Sequence, residues 1–104
     1  MRTIRRSAEA EKDIDEIVVY YSRQGLSLAD RFIEEYEASL RAIEKIPGRG
    51  SPRLGNELGI SGMRAYAMRH FPYLVFYRED NDTSVDIDRV LHSHRDILAM
   101  FLEQ

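Results

Sequence analysis

The hydrophobic pattern changes period near the middle of the chain, from helical spacing to alternation. Ala10, Ile14, Ile17, Val18 and Tyr21 form one apolar stripe at helical spacing, with Asp13, Asp15 and Glu16 turned outward. This predicts a first helix over roughly 8–23. Ser7 is its N-cap, Glu9 and Glu11 sit early, where the helix dipole favours carboxylates, and Gly25 ends it. Ser27 is expected to cap a second helix in which Ala29, Phe32, Ile33, Tyr36, Leu40, Ile43 and Ile46 repeat until Pro47 and Gly48 stop it. A linker this short makes the two helices an antiparallel hairpin.

Pro47, Gly48, Gly50, Pro52, Gly55, Gly59 and Gly62 are too many breakers for regular structure, so residues 47–62 are expected to form a long loop. From Met63 the period is two: Met63, Ala65 and Ala67 alternate with Arg64, Tyr66 and Met68, and Pro72 separates this strand from Tyr73-Leu74-Val75-Phe76-Tyr77. Asp80-Asn81-Asp82-Thr83 supplies turn chemistry for a hairpin into a strand over 85–91, where Val85 and Ile87 alternate with Asp86 and Asp88. The phase slips at Arg89-Val90, which predicts a bulge that returns Val90 to the core and re-aims Arg89. With a short first strand at Thr3-Ile4-Arg5 and a terminal helix carrying Ile97, Leu98, Phe101 and Leu102, the reading is α+β. Its order is β-α-α-β-β-β, a helical hairpin packed on a mainly antiparallel sheet with a short C-terminal helix, in one domain over 1–104. The run from Tyr73 to Tyr77 is apolar on both faces, so the face away from the hairpin needs a cover of its own.

Composition narrows the chemistry. The absence of cysteine excludes disulfides and thiolate metal sites. Neither a signal-peptide pattern nor an apolar run near the roughly 20 residues of a membrane span is present, so a cytoplasmic protein without membrane contact is expected. A net charge of −3 argues against a general nucleic-acid binder. The charge is segregated: residues 47–78 are basic, with Arg49, Arg53, Arg64, Arg69 and Arg78 against Glu57, whereas 7–46 and 79–104 are acidic. Lys12 and Lys45 are the only lysines. The arginine bias suits carboxylate or phosphate partners and equally a genome rich in arginine codons.

Several runs in this order resemble the ParE/RelE toxin superfamily. The first helix carries Ala10, Asp13, Ile14, Ile17 and Tyr20, and the second runs from Ala29 and Phe32 through Leu40 and Ile43 to Pro47 and Gly50. Arg64 opens the central strands, Tyr73-Leu74-Val75-Phe76-Tyr77-Arg78 is similar to the superfamily's hydrophobic strand, and Ile87-Asp88-Arg89-Val90-Leu91-His92 with Arg95-Asp96 resembles its closing motif, in the form common in the ParE branch. The resemblance implies the toxin of a type II toxin–antitoxin pair that inhibits DNA gyrase by protein binding. The implied partner is a ParD-type ribbon-helix-helix antitoxin whose C-terminal arm wraps the toxin and can cover the second apolar face. Tyr20, Tyr21, Tyr36, Tyr73, Val75 and Tyr77 are then the candidate antitoxin contacts, and Arg64, Arg89, His92 and Arg95 the candidate target contacts. No cofactor is expected, and no sequence-specific nucleic-acid binding by the toxin alone.

The competing reading is a RelE-type, ribosome-dependent mRNA endoribonuclease. Cutting RNA needs an acid, a base and cations at the phosphate, which His92, Arg64 and Arg89 can supply. Against it, the loop and strands carry no lysine and no tyrosine follows Tyr77, whereas RelE-type nucleases commonly present clustered basic residues and a C-terminal Tyr or His. Arg64, Arg89 and Arg95 have the alternative of structural ion pairs with strand or first-helix carboxylates. A metal site from His92, His94 and Asp96 is set aside, because three such residues fall together often by chance.

Overall fold

The computed structural model describes residues 2–102. The chain forms β1 (Thr3–Arg6), α1 (Ala8–Ser22), α2 (Leu26–Lys45), a 3₁₀ turn at Pro47–Arg49, α3 (Arg53–Leu58), β2 (Met63–Ala67), β3 (Tyr73–Asn81), β4 (Ser84–His92) and α4 (Ile97–Leu102). The side chain of Leu102, expected to help close the last helix, lies outside the described residues. The sheet order is β1-β4-β3-β2, with β2, β3 and β4 antiparallel and β1 parallel to β4.

α1 begins where its cap predicts. Ser7 Oγ accepts from the Ala10 N–H at 2.9 Å and donates to the Asp88 carbonyl at 2.8 Å, so one hydroxyl caps the helix and ties it to β4. α2 starts one residue earlier than Ser27. The Leu28 and Ala29 N–H groups bond to the Gly25 carbonyl, so Gly25 is the N-cap, without a side-chain bond, and Ser27 lies inside the first turn. α2 buries Ala29, Phe32, Tyr36, Ser39, Leu40 and Ile43, while Ile33 and Ile46, placed on its apolar stripe by spacing, are exposed. Ser39 is tolerated inside because its hydroxyl donates to the Glu35 carbonyl.

Residues 47–62 depart from the expected loop. Gly55 faces the Met63 carbonyl so closely that no Cβ fits, which lets α3 lie directly on β2. Gly59 ends α3 in the left-handed region at φ 73°. Two glycines that read as breakers therefore act as a contact and a cap.

The predicted bulge is present one residue early. Phe76 opposes Arg89 but Tyr77 opposes Ile87, so Asp88 is the extra residue. Val85, Ile87 and Val90 consequently share the core with the hairpin, where Phe32, Ile43, Tyr73, Val75 and Tyr77 are also buried. The opposite face has a smaller core of Met63, Ala65, Phe76 and Leu91. It is covered by Leu54 and Leu58 from α3, Ile60, and Ile97, Met100 and Phe101 from α4. The cover inferred for this face is thus supplied by the chain's own α3 and α4. Beyond it the face is polar, with Arg78 bidentate on Asp88 and Arg5 between Asp80 and Asp86.

Candidate functional site

β1 pairs with β4 only as far as Ile87, which leaves the backbone of β4 beyond it without a strand neighbour on that side. The start of the α1 segment completes it. The Ser7 N–H donates to the Ile87 carbonyl, and Asp13 Oδ2 accepts from the Val90 N–H at 2.9 Å. Asp13 also accepts two hydrogen bonds from Arg89, at 2.8 Å from Nε and 2.9 Å from Nη2, and Arg89 Nη1 donates to the Met100 carbonyl at 3.1 Å. Asp13 and Arg89 are each only 8% exposed. Asp13, expected to face solvent, is instead a buried carboxylate that locks α1, β4 and α4 together. The outward expectation treated it as one of three neighbouring acids; what singles it out is its place one turn from Ala10 and Ile17 on the inner stripe.

Beside this lock lies a cleft of about 430 Å³ between α1, the ends of β3 and β4, and α4. Its lining includes Tyr20, Tyr21, Tyr73, His92, Arg95 and Glu16. The rings are in edge contact in series: Tyr20 on Tyr21 at 5.1 Å, Tyr21 on Tyr73 at 6.3 Å, and Tyr73 on His92 at 5.3 Å between centroids. Tyr20, 57% exposed, forms the open wall. Arg95 is exposed on the other side, with Nη1 3.5 Å from Met100 Sδ. Burial, and then the Tyr21 hydroxyl, push the Tyr73 phenol above the usual tyrosine range, so it stays protonated and serves as a hydrogen-bonding wall. The His92 ring accepts the His94 N–H at Nδ1, which leaves the proton of its neutral form on Nε2. Asp96 accepts from the Ala99 N–H as a cap for α4. Among the described residues, no group of three His, Cys, Asp or Glu side chains is placed to hold a metal ion, and no helix is long and apolar enough to cross a membrane.

The sequence model described as "ParE toxin of type II toxin-antitoxin system, parDE" matches residues 4–97. The chain belongs to the ParE toxin family. Among solved structures it is similar to the chromosomal ParDE TA system from P. aeruginosa, with a TM-score of 0.74 at 17% identity over 88% of this chain and 96% of that one, a likeness of fold. No curated protein matches it.

In this ParE-family toxin the ten residues singled out by sequence do not form one site. Tyr20, Tyr21, Tyr73, His92 and Arg95 converge on the cleft. Tyr36 lies elsewhere, in the valley between α1 and α2. Val75 and Tyr77 have no exposed surface, and Tyr77 spends its hydroxyl on the Pro47 carbonyl and the Gly50 N–H. They support the surface from within. Arg64 donates to the Gly50 carbonyl at 2.7 Å, on β2 opposite Tyr77, two strands from β4 and on the order of 15 Å from His92 by strand geometry. Arg89 is held by Asp13. The three residues of an RNA-cleaving site are therefore not brought together. Glu16, Pro72 and Met100, which also line the cleft, carried no sequence signal: a surface acid, a turn proline and a helical methionine are each ordinary alone.

Proposed function

We propose that this ParE-family toxin acts by binding DNA gyrase in the cytoplasm, without turnover of its own, and that a ParD-type ribbon-helix-helix antitoxin neutralises it. The observation that carries the reading is the state of Arg89. A nuclease needs that guanidinium free at a phosphate, whereas here it is buried, bidentate on Asp13 and bonded to the Met100 carbonyl. Protein recognition needs no such free cation, and the cleft offers what it uses: rigid aromatics at the wall, with a flanking arginine and glutamate for register.

Tyr20, Tyr21 and Tyr73, the candidate antitoxin contacts, share the cleft with His92 and Arg95, the candidate target contacts. Neutralisation then works by occupancy, the antitoxin covering the surface that gyrase would meet. Purified toxin is expected to inhibit gyrase supercoiling and to trap the cleavage complex, with reversal at one equivalent of antitoxin. Undisturbed supercoiling, together with discrete breaks in messenger RNA on induction, would overturn the proposal.

A further inference from the structure

The loop between β2 and β3, residues 68–72, stands at one end of the cleft and is tied down on two sides. On the cleft side, the Tyr73 N–H donates to the Phe71 carbonyl at 2.9 Å and the Ser93 N–H to the Pro72 carbonyl at 2.8 Å. Phe71 sets its ring edge-on against Tyr21 and Phe32, at 5.2 and 5.3 Å between centroids, and Pro72 lines the cleft beside Tyr21 and Tyr73. On the far side the tie is Glu35 of α2. Its carboxylate accepts the His70 N–H at 2.8 Å on one oxygen and meets the His70 ring Nδ1 at 2.7 Å with the other. The Glu35 side chain is 14% exposed against 76% for that of His70, so the ionised acceptor is the enclosed partner. Glu35 lies three positions after Phe32, so one flank of α2 presents both the ring that meets Phe71 and the carboxylate that holds His70.

We infer that Glu35 is a positioning residue for the cleft: by holding the β2–β3 loop against α2 it fixes Phe71 and Pro72, and through them the wall that the target meets. Among the described residues the His70 N–H has no other acceptor, so without Glu35 it turns to solvent and the loop loses its tie to α2. The shift passes along the next three residues. Phe71 leaves Tyr21, Pro72 draws away from the Ser93 N–H, and Tyr73, whose ring stands on Tyr21 and His92, loses its support. A binding site keeps its affinity only while its walls hold to within about 0.5 Å, so a loosened loop weakens recognition at the cleft. Glu35 does not line the cleft, which makes it a residue that acts through others. This role rests on the reading of the cleft as the gyrase contact.

The test reads amide hydrogen exchange and inhibition of gyrase supercoiling in the full-length toxin, with a thermal melt of each variant. In Glu35→Ala the Ser93 N–H is expected to exchange about tenfold faster, while the Val90 N–H, held by Asp13, stays within about twofold of the parent. The concentration that inhibits gyrase is expected to rise about tenfold. Glu35→Gln should recover both to within about threefold, because the amide still accepts from the His70 N–H and donates to a neutral ring. Glu34→Ala, in the same recess but without a bond to the loop, should match the parent. If Glu35→Ala does not fold, His70→Ala takes its place, since its ring is exposed; it keeps the backbone bond and is expected to move both readouts about threefold. A folded variant with Ser93 exchange and inhibition both unchanged would overturn the inference. So would equal acceleration at Ser93 and Val90, which reports global destabilisation, and faster Ser93 exchange with unchanged inhibition, which reports a purely structural tie. A parent toxin that leaves gyrase untouched would overturn the gyrase reading instead; affinity for the antitoxin, whose candidate contacts share the cleft, then supplies the functional readout.

Discussion

The Asp13–Arg89 lock yields the sharpest prediction. In Asp13→Ala, the guanidinium of Arg89 keeps its charge in a site where it is 8% exposed, and the Val90 N–H loses its acceptor. Breaking a buried pair by removing one partner costs about 3–5 kcal/mol, since the remaining buried charge loses its counter-ion. A domain of this size has a total stability of roughly 5–15 kcal/mol, so a loss of about 4 kcal/mol removes a large share of it. Urea unfolding followed by far-ultraviolet circular dichroism should show this as a midpoint lower by about 2 M, with a slope of roughly 2 kcal/mol per M. Asp13→Leu combined with Arg89→Met removes both charges and should be at least about 1 kcal/mol more stable than the single variant. A single variant that loses less than about 1 kcal/mol, or a double variant no better than the single, would refute the view that this pair holds α1, β4 and α4 together.

Three further outcomes follow from the contacts. Tyr77→Phe leaves the Pro47 carbonyl and the Gly50 N–H without their buried partner, and should cost about 2 kcal/mol in the same unfolding assay. At Glu35, burial raises the carboxyl pKa, but hydrogen bonds from the His70 N–H and ring outweigh it and leave the pKa below the usual glutamate range. A depressed folded pKa stabilises fully above the ordinary glutamate value, and the contribution is lost as pH falls through the folded one, so His70→Ala should flatten the stability curve in that acid window. Carbon-detected NMR should show the Glu35 pKa rising only part of the way, because the backbone N–H of residue 70 remains. His92→Ala should reduce toxicity in a graded-induction growth assay by about tenfold or less, whereas loss of an acid–base catalyst would cost several orders of magnitude.

Outside residues 47–62, element order and type were legible because they depend on local pattern. The stripe of Ala10, Ile17 and Tyr21, the alternation of Val85 and Ile87, and the turn at Asp80–Thr83 each report a period that only one kind of element satisfies, and Ser7 marks a helix start through bonds made within four residues. The exchange of Ser27 for Gly25 as a cap shows where such reading stops: both satisfy the local preference, and the tight turn after α1 chooses between them. The helix at Arg53–Leu58 was hidden because its glycines have tertiary reasons, Gly55 meeting Met63 across a helix–strand contact.

The site shows the same division more sharply. The sequence by itself established a helical hairpin on a three-strand meander, the family to which that order belongs, and the residue types from which a contact surface is made. Only the tertiary structure decided their roles. Asp13 and Arg89 are 76 residues apart; the sequence allowed Arg89 an ion pair with a first-helix or strand carboxylate, but did not single out Asp13. They meet because β1 stops pairing at Ile87 and α1 fills the open edge of β4. That placement buries one arginine as structure and leaves Tyr20, His92 and Arg95 around a cleft. Burial and partnership are properties of packing between distant segments, which periodicity along the chain does not encode.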